Sequence, residues 1–148
     1  MIIEKVKIKK LDKNAKIPSY GTSYAAGADL YALTDDTIVV SPGETKLIKT
    51  GIALEIPIGY VGLVYARSGL ATKMGLAPSN KVGVIDSDYR GELMVSIYNQ
   101  SKETREIENG ERIAQLVIAP YIKASFEETD ELDETKRGSN GFGSTGKK

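Results

Sequence analysis

Proline and glycine interrupt this chain at short intervals, and the segments between them are rich in β-branched residues. No stretch carries the long apolar stripe of helical period that a helical domain needs. Eight short strands are predicted, at residues 3–8, 37–40, 45–48, 53–56, 60–65, 82–85, 92–99 and 111–118. So many short strands in one chain indicate an all-β fold, a distorted jelly roll or β-sandwich-like domain. Residues 68–74 are predicted to form one short helix, with Ser68 as its cap and Gly75 as its terminator.

The length of 148 residues suits a single domain followed by a tail. We predict a β domain over residues 1–124, which carries the motifs described below, and a second region over residues 125–148. That region begins with the acidic run SFEETDELDETK and ends in the glycine-rich run RGSNGFGSTGKK. Glycines there can turn successive N–H groups toward an anion, and serine, threonine and arginine add further donors. We therefore expect an acidic linker carrying a flexible, phosphate-binding arm, although a flexible tail without a role has the same composition.

The composition limits the chemistry that the chain can perform. It contains no cysteine and no histidine, so thiolate catalysis, an imidazole base and cysteine zinc sites are excluded. Carboxylates remain as the main candidate bases, and oxygen ligands for a hard ion such as Mg²⁺. Because 20 basic residues balance 20 acidic ones, no overall field draws the chain to nucleic acid or to a membrane. No run resembles a signal peptide or a membrane span, so we expect a soluble, intracellular, cytoplasmic protein.

The segment NKVGVIDSDYRGELMVSIYNQ is predicted to form a hairpin with Asp86 and Tyr89 in its turn. Aspartate and glycine at a turn need no function. However, Gly83 weakens a strand unless something approaches its backbone closely, and Tyr89 places a flat ring beside carboxylates. The exposed backbone of such a hairpin could recognise the donors and acceptors of a pyrimidine, and Asn80 could add an amide contact.

Three further motifs contain polar residues among small or apolar ones. ARSGLA places Arg67, Ser68 and the amide of Gly69 at the start of the predicted helix, which suits a phosphate as well as it suits a plain helix cap. AAGADLYA contains Asp29, which either caps a turn or orients a hydrated Mg²⁺. GERIAQLVIAP is predicted to be a strand that is apolar on both faces except at Gln115. The Gln115 amide must therefore form hydrogen bonds within the protein or contact a ligand.

In their order and spacing, AAGADLYA, ARSGLA, NKVGVIDSDYRGE, GERIAQL and RGSNGFGSTG resemble the five motifs of the homotrimeric deoxyuridine triphosphatases, the dUTP diphosphatases. The resemblance implies hydrolysis of dUTP to dUMP and pyrophosphate with Mg²⁺. This reaction limits uracil incorporation into DNA and supplies dUMP for dTMP synthesis. It also implies a homotrimer whose sites are shared between subunits, with no direct nucleic-acid binding.

The resemblance assigns roles to individual residues. Asp86 would be the general base that activates water for attack on the α-phosphorus, and Asp29 would act on Mg²⁺ through its water shell. The implied substrate contacts fall into four groups. They are Asn80, Gly83, Val84, Ile85 and Met94 around uracil; Tyr89 under the deoxyribose; Arg67, Ser68, Gly69 and Gln115 at the α- and β-phosphates; and Arg137, Phe142, Gly143, Ser144 and Thr145 in the closing arm.

Two other functions compete with this one. A dCTP deaminase-like enzyme of similar fold would attack the base rather than the phosphate. A dUTP-binding regulatory or interaction protein would bind the nucleotide without needing turnover.

Overall fold

The computed structural model describes residues 4–141, and within that range the chain forms twelve strands and one short helix. The all-β prediction is confirmed. The strands are β1 (Lys7–Lys10), β2 (Ser19–Tyr20), β3 (Ala28–Tyr31), β4 (Ile38–Val40), β5 (Thr45–Lys49), β6 (Ile52–Glu55), β7 (Tyr60–Tyr65), β8 (Leu76–Pro78), β9 (Gly83–Ile85), β10 (Met94–Asn99), β11 (Arg105–Ile107) and β12 (Arg112–Pro120).

Two antiparallel sheets organise the domain. The larger has the order β2-β3-β12-β7-β9, with the nine-residue β12 at its centre, and the smaller has the order β5-β10-β8. Two additional strand pairs, β1-β6 and β11-β4, complete the described sheets. The strand order is not the sequence order, so the chain crosses repeatedly between sheets, as in jelly rolls.

The core lies between the sheets and is filled by alternate residues of their strands. On β10 the odd-numbered positions are buried and the even-numbered ones are less so, which is the period of two that a half-buried strand requires. Leu30 of β3 and Ile97 of β10 are both fully buried, so both sheets supply the core. Asn99 is also fully buried, and its amide bonds the carbonyl oxygens of Val40 and Glu103 at 2.9 and 2.8 Å.

The predicted hairpin around Asp86 is wrong in its pairing. Strand β9 pairs with β7, whereas β10 pairs with β5 and β8, so the residues between β9 and β10 form a crossing between two sheets. Leu93 fixes this crossing, since its N–H donates to the Ile52 carbonyl and its own carbonyl accepts from the Thr50 hydroxyl. The segment around Asp86 therefore does not join two paired strands. It connects the larger sheet to the smaller one.

Other differences are smaller. Strands β2, β3, β8 and β11 were not predicted, and the first strand begins at Lys7 rather than at residue 3. The helix is a single π-helical turn, Leu70–Met74, entered through helical residues 68–69. Its N-cap is Gly69, and no side chain of the described residues caps it, so Ser68 is not its cap. Gly75 ends it with φ of 69°, as predicted, because glycine accepts the left-handed conformation without strain.

Beyond Pro120 the described residues form no strand or helix. The N–H of Tyr121 donates to the Gly59 carbonyl at 3.0 Å, and later hydrogen bonds of this segment are local. Among the described residues, no helix has the length and apolar character that crossing a membrane requires.

Candidate functional site

A cavity of about 290 Å³ opens between β9 and β10, at the crossing between the two sheets. Its wall contains apolar side chains that remain open to water: Val84 is 63% exposed and Leu47 is 59% exposed. Exposed apolar groups around a concave surface indicate a place that a ligand covers. Seven of the predicted residues line this cavity, namely Asn80, Gly83, Val84, Ile85, Asp86, Tyr89 and Met94.

Gly83 allows the cavity to reach the backbone of β9. A Cβ at this position would lie 3.2 Å from the Asn80 amide nitrogen and 3.2 Å from Cβ of Val64, which is tighter than ordinary contact. The turn before it is unusual: Lys81 has φ of 67°, and the Val82 N–H donates to the Asn80 carbonyl at 2.8 Å. A γ-turn with positive φ is strained for any residue with a side chain, and such strain concentrates at functional sites.

Strand β9 is an edge strand of the larger sheet, since it pairs only with β7. Its side away from β7 has no strand partner in the described sheet, so it can offer backbone donors and acceptors to a ligand. All three residues of β9, Gly83, Val84 and Ile85, line the cavity. A flat heterocycle with alternating donors and acceptors suits such an edge.

Asp86 follows directly after β9 and is exposed at the cavity wall. Its backbone carbonyl accepts from the Tyr89 N–H at 3.2 Å, which closes a tight turn. Among the described residues, no hydrogen bond occupies its carboxylate. The carboxylate is therefore free to accept a proton from a water molecule held in the cavity.

Two more side chains of the crossing face the same cavity. The hydroxyl of Tyr89 donates to the Glu92 carbonyl at 2.9 Å, which fixes the ring along the wall. The carboxylate of Glu92 accepts from the Gly51 N–H at 2.9 Å, so the crossing is tied to the neighbouring turn. One carboxylate oxygen of Glu92 therefore already accepts a backbone hydrogen bond, whereas no described residue bonds the carboxylate of Asp86.

A second concave surface, of about 550 Å³, contains the predicted phosphate-binding arginine. Arg67 Nε donates to Asp29 Oδ1 at 2.8 Å, and Arg112 Nη1 donates to Asp29 Oδ2 at 3.3 Å. The Asp29 side chain is 13% exposed, whereas Arg67 is 27% and Arg112 is 52% exposed. One carboxylate thus orients two guanidinium groups at the edge of a surface that can receive an anion.

Gln115 lies at the same end of the larger sheet, opposite Asp29 on one neighbouring strand and Tyr65 on the other. Its amide donates to the Ala66 carbonyl at 2.9 Å, so this polar residue of a mostly apolar strand is satisfied. Gly27 makes room for it, because a Cβ there would lie 3.0 Å from the Gln115 amide carbon.

Ser68 and Gly69 are exposed beside Arg67 but line neither cavity. The helix that follows has five residues, so it contributes little of a macrodipole to anion binding. Anion binding at this corner therefore depends on the arginine side chains and on exposed hydroxyl and amide donors.

Among the described residues, none lines both the cavity beside Asp86 (the base cavity) and the concave surface beside Arg67 and Arg112 (the arginine corner). Arg137 lies apart from both, and its Nε donates to the Asn140 carbonyl at 2.8 Å. The predicted arm residues Phe142, Gly143, Ser144 and Thr145 lie outside the described residues.

No group of three or more acidic side chains that could enclose a metal ion occurs among residues 4–141. Both oxygens of Asp29 already accept hydrogen bonds from arginine, so this carboxylate does not suit a metal site in which protein groups supply all the ligands. This donor set fits an ion that arrives with phosphate oxygens and keeps most of its water. The predicted role of Asp29 at Mg²⁺ remains a prediction.

Sequence reasoning missed several residues of these surfaces. Arg112 belongs to the motif GERIAQLVIAP, but only the pairing of β12 with β3 brings it to Asp29. Leu47 enters the first cavity because β5 pairs with β10, where it lies opposite Ser96. Such contacts depend on strand order, which the sequence does not display.

Comparison with known proteins gives one consistent result. Residues 13–146 match the family model described as dUTPase. The deoxyuridine 5'-triphosphate nucleotidohydrolase of Nautilia profundicola is 53% identical over 143 residues, which cover 97% of this chain and 99% of the relative.

Solved structures agree with this match. A mutant dUTPase of Staphylococcus bacteriophage 80alpha with dUpNHpp superposes with a TM-score of 0.87 at 32% identity, covering 97% of this chain and 99% of that one. A mutant dUTPase from phage phi11 of S. aureus, described with a coordinated structural Mg(II) ion, has a TM-score of 0.79 at 29% identity. It covers 88% of this chain and 100% of that one.

Proposed function

The chain belongs to the dUTPase family and hydrolyses dUTP to dUMP and pyrophosphate, and from this premise we propose how its residues divide the work. The observation that carries the proposal is the carboxylate of Asp86, which no described residue bonds, at the wall of a partly apolar cavity beside an edge strand. Chemistry at phosphorus needs a positioned base and charge stabilisation rather than a covalent intermediate.

Uracil lies against β9, with its edge facing the backbone of Val84 and Ile85 and the amide of Asn80. Gly83 allows the close approach that this arrangement needs, and Met94 covers the ring from β10. Cytosine presents a donor where uracil presents O4, so a donor of the protein at that position would face another donor. Thymine adds a methyl group for which a tight cavity has no space.

Tyr89 packs under the deoxyribose and excludes a 2′-hydroxyl group. Its ring is suited to this because a hydrogen bond to the Glu92 carbonyl fixes its far end. A fixed ring discriminates by shape, which a freely rotating side chain cannot do.

Asp86 acts as the general base. It accepts a proton from a water molecule, whose oxygen attacks the α-phosphorus while the bond from the α-phosphorus to the oxygen between the α- and β-phosphates breaks, and pyrophosphate leaves with that oxygen. The carboxylate is available for this step because no described residue bonds to it, whereas Glu92 of the same cavity is held by a backbone N–H.

The phosphates bind at the arginine corner. Arg67 offers a guanidinium that Asp29 orients from one side, with Ser68, Gly69 and Gln115 nearby as further donors. A Mg²⁺ ion bound with dUTP would spread the charge of the phosphates. Asp29 would hold such an ion through its water shell, since both of its oxygens accept from arginine.

The complete site requires more than one subunit. We assign the base cavity and the arginine corner to different subunits of a homotrimer, an arrangement that agrees with the lack of a common lining residue among the described residues. The arm then closes over the nucleotide, with Phe142 stacked on uracil and Arg137, Gly143, Ser144 and Thr145 at the γ-phosphate. Closure would also exclude water from side reactions. A cytoplasmic location and the absence of nucleic-acid binding remain predictions.

The test is pyrophosphate release from dUTP, dCTP, dTTP and UTP with Mg²⁺, measured for the wild type, Asp86→Asn and Asp88→Asn. Asp88 is an exposed carboxylate of the same crossing that does not line the cavity, so it is the matched control. We expect turnover of dUTP alone, lost in Asp86→Asn and kept in Asp88→Asn. Ammonia release from dCTP would favour a deaminase, and dUTP binding without turnover would favour a regulatory protein.

A further inference from the structure

The backbone conformation at Gly91 does not require glycine. Its φ is not in the left-handed region that favours glycine. An alanine could therefore adopt the same backbone without strain. The requirement for glycine must come from what a side chain would meet.

The three atoms that a Cβ at Gly91 would approach most closely all belong to the ring end of Tyr89. The Cβ would lie 2.6 Å from Cζ and 2.9 Å from Cε2, with the hydroxyl oxygen closer still. Atoms other than hydrogen do not approach so closely without a bond, so the tyrosine ring must rest directly on the glycine α-carbon. No other residue type leaves this space free.

The ring is also held from its far end. The hydroxyl of Tyr89 donates to the Glu92 carbonyl at 2.9 Å, and the Glu92 carboxylate is tied to the Gly51 N–H at 2.9 Å. The N–H of Leu93 adds a bond to the Ile52 carbonyl at 2.8 Å. The acceptor for the hydroxyl thus belongs to a segment fixed to the core, and Gly91 is the surface against which the ring lies.

We propose that Gly91 is a positioning residue that sets sugar specificity by seating the Tyr89 ring against the wall of the cavity. The inference depends on the proposed function, in which this ring excludes the 2′-hydroxyl. A methyl group at position 91 would push the ring off its seat and break the bond to Glu92. The displaced ring would neither pack closely under deoxyribose nor exclude ribose.

The fold should survive this change. The three atoms nearest to the new methyl group belong to the far end of the Tyr89 side chain. This side chain is flexible and 45% exposed, so it can rotate into solvent. Gly21→Ala is the matched control, because a Cβ there meets nothing within 4 Å and its φ is not in the left-handed region. Thermal unfolding of both variants should lie close to that of the wild type.

The experiment measures kcat/KM for dUTP and for UTP in the wild type, Gly91→Ala, Gly21→Ala, Tyr89→Ala and the double variant Gly91→Ala with Tyr89→Ala. We expect Gly91→Ala to lower the dUTP to UTP ratio about tenfold, within the range that one added hydroxyl group allows, and Gly21→Ala to leave it unchanged. In the Tyr89→Ala background, adding Gly91→Ala should change the ratio no further, because the effect acts through the ring.

A ratio that stays at the wild-type value in Gly91→Ala overturns the inference, as does a further loss in the double variant. If Gly91→Ala does not fold, Tyr89→Phe keeps the ring but removes its anchor, and an unchanged ratio there also overturns it. If Tyr89→Ala itself keeps the ratio, the assigned role of Tyr89 fails as well. A loss in Tyr89→Ala without a loss in Gly91→Ala refutes only the role of Gly91.

Discussion

Replacing Asp29 by asparagine separates two roles that this carboxylate could have. In the structure it accepts from Arg67 at 2.8 Å and from Arg112 at 3.3 Å. Asparagine keeps the shape but removes the charge, and its NH₂ group would face one of the two guanidinium groups. Arg67 then loses the partner that orients it toward the phosphates.

The size of the effect follows from burial. The pair with Arg67 is largely shielded, and a charge-assisted hydrogen bond of this kind contributes about 1.5–3 kcal/mol. The pair with Arg112 involves a half-exposed guanidinium and adds about 0–1 kcal/mol. We expect Asp29→Asn to lower the free energy of unfolding by about 2 kcal/mol, which corresponds to about 4–8 °C in Tm for a chain of this length.

The assay combines urea unfolding at fixed protein concentration with activity measured across a Mg²⁺ titration. We expect lower stability and a higher KM for dUTP, with little change in the Mg²⁺ concentration for half-maximal activity, because Asp29 would reach the ion only through water. Asp35→Asn is the control, since Asp35 is exposed and forms no ion pair among the described residues. Unchanged stability together with a raised Mg²⁺ requirement would refute the positioning role and support action at the ion.

Three further changes have defined outcomes. Asn99→Ala removes four hydrogen bonds of a fully buried amide, so urea unfolding should show a loss of about 3–4 kcal/mol; a loss below 1 kcal/mol would contradict this. The hydrogen bond from Lys46 lowers the pKa of Glu44 below its usual value of 4.5, so its stabilisation is present above that pH and is lost as the pH falls through the lowered pKa. Glu44→Gln should therefore be less stable than the wild type at neutral pH and equal to it in acid, as thermal unfolding against pH would show. Gly27→Ala displaces the Gln115 amide, so steady-state kinetics should show a raised KM for dUTP, and an unchanged KM would argue against a role at the phosphates.

The sequence predicted the class of the fold because short β-branched segments between breakers have few other solutions. It failed where strand partners matter. Segments on either side of Asp86 looked like a hairpin, since each alternates and a turn joins them, but pairing with β7 and with β5 separates them into two sheets. Local pattern does not determine which distant strand completes a ladder.

For the site, residue types were easier to predict than contacts. Asp86 and Asn80 stand out because turns concentrate such residues, and the resemblance gave them roles. The ion pairs of Asp29 depend on residues 38 and 83 positions away, and so could not be predicted from local sequence. The positive φ of Lys81 was equally hidden, because lysine gives no sign of a left-handed conformation.

The most direct test of the central claim is complementation between two inactive variants. Chains carrying Asp86→Asn and chains carrying Arg67→Ala are co-expressed with different tags, and oligomers containing both are isolated and assayed on dUTP. If the base cavity and the arginine corner come from different subunits of a trimer, each mixed trimer contains one intact site, and about one third of wild-type activity returns. Activity no higher than that of either parent variant would contradict the account, because it would mean that both residues serve the same site from one chain.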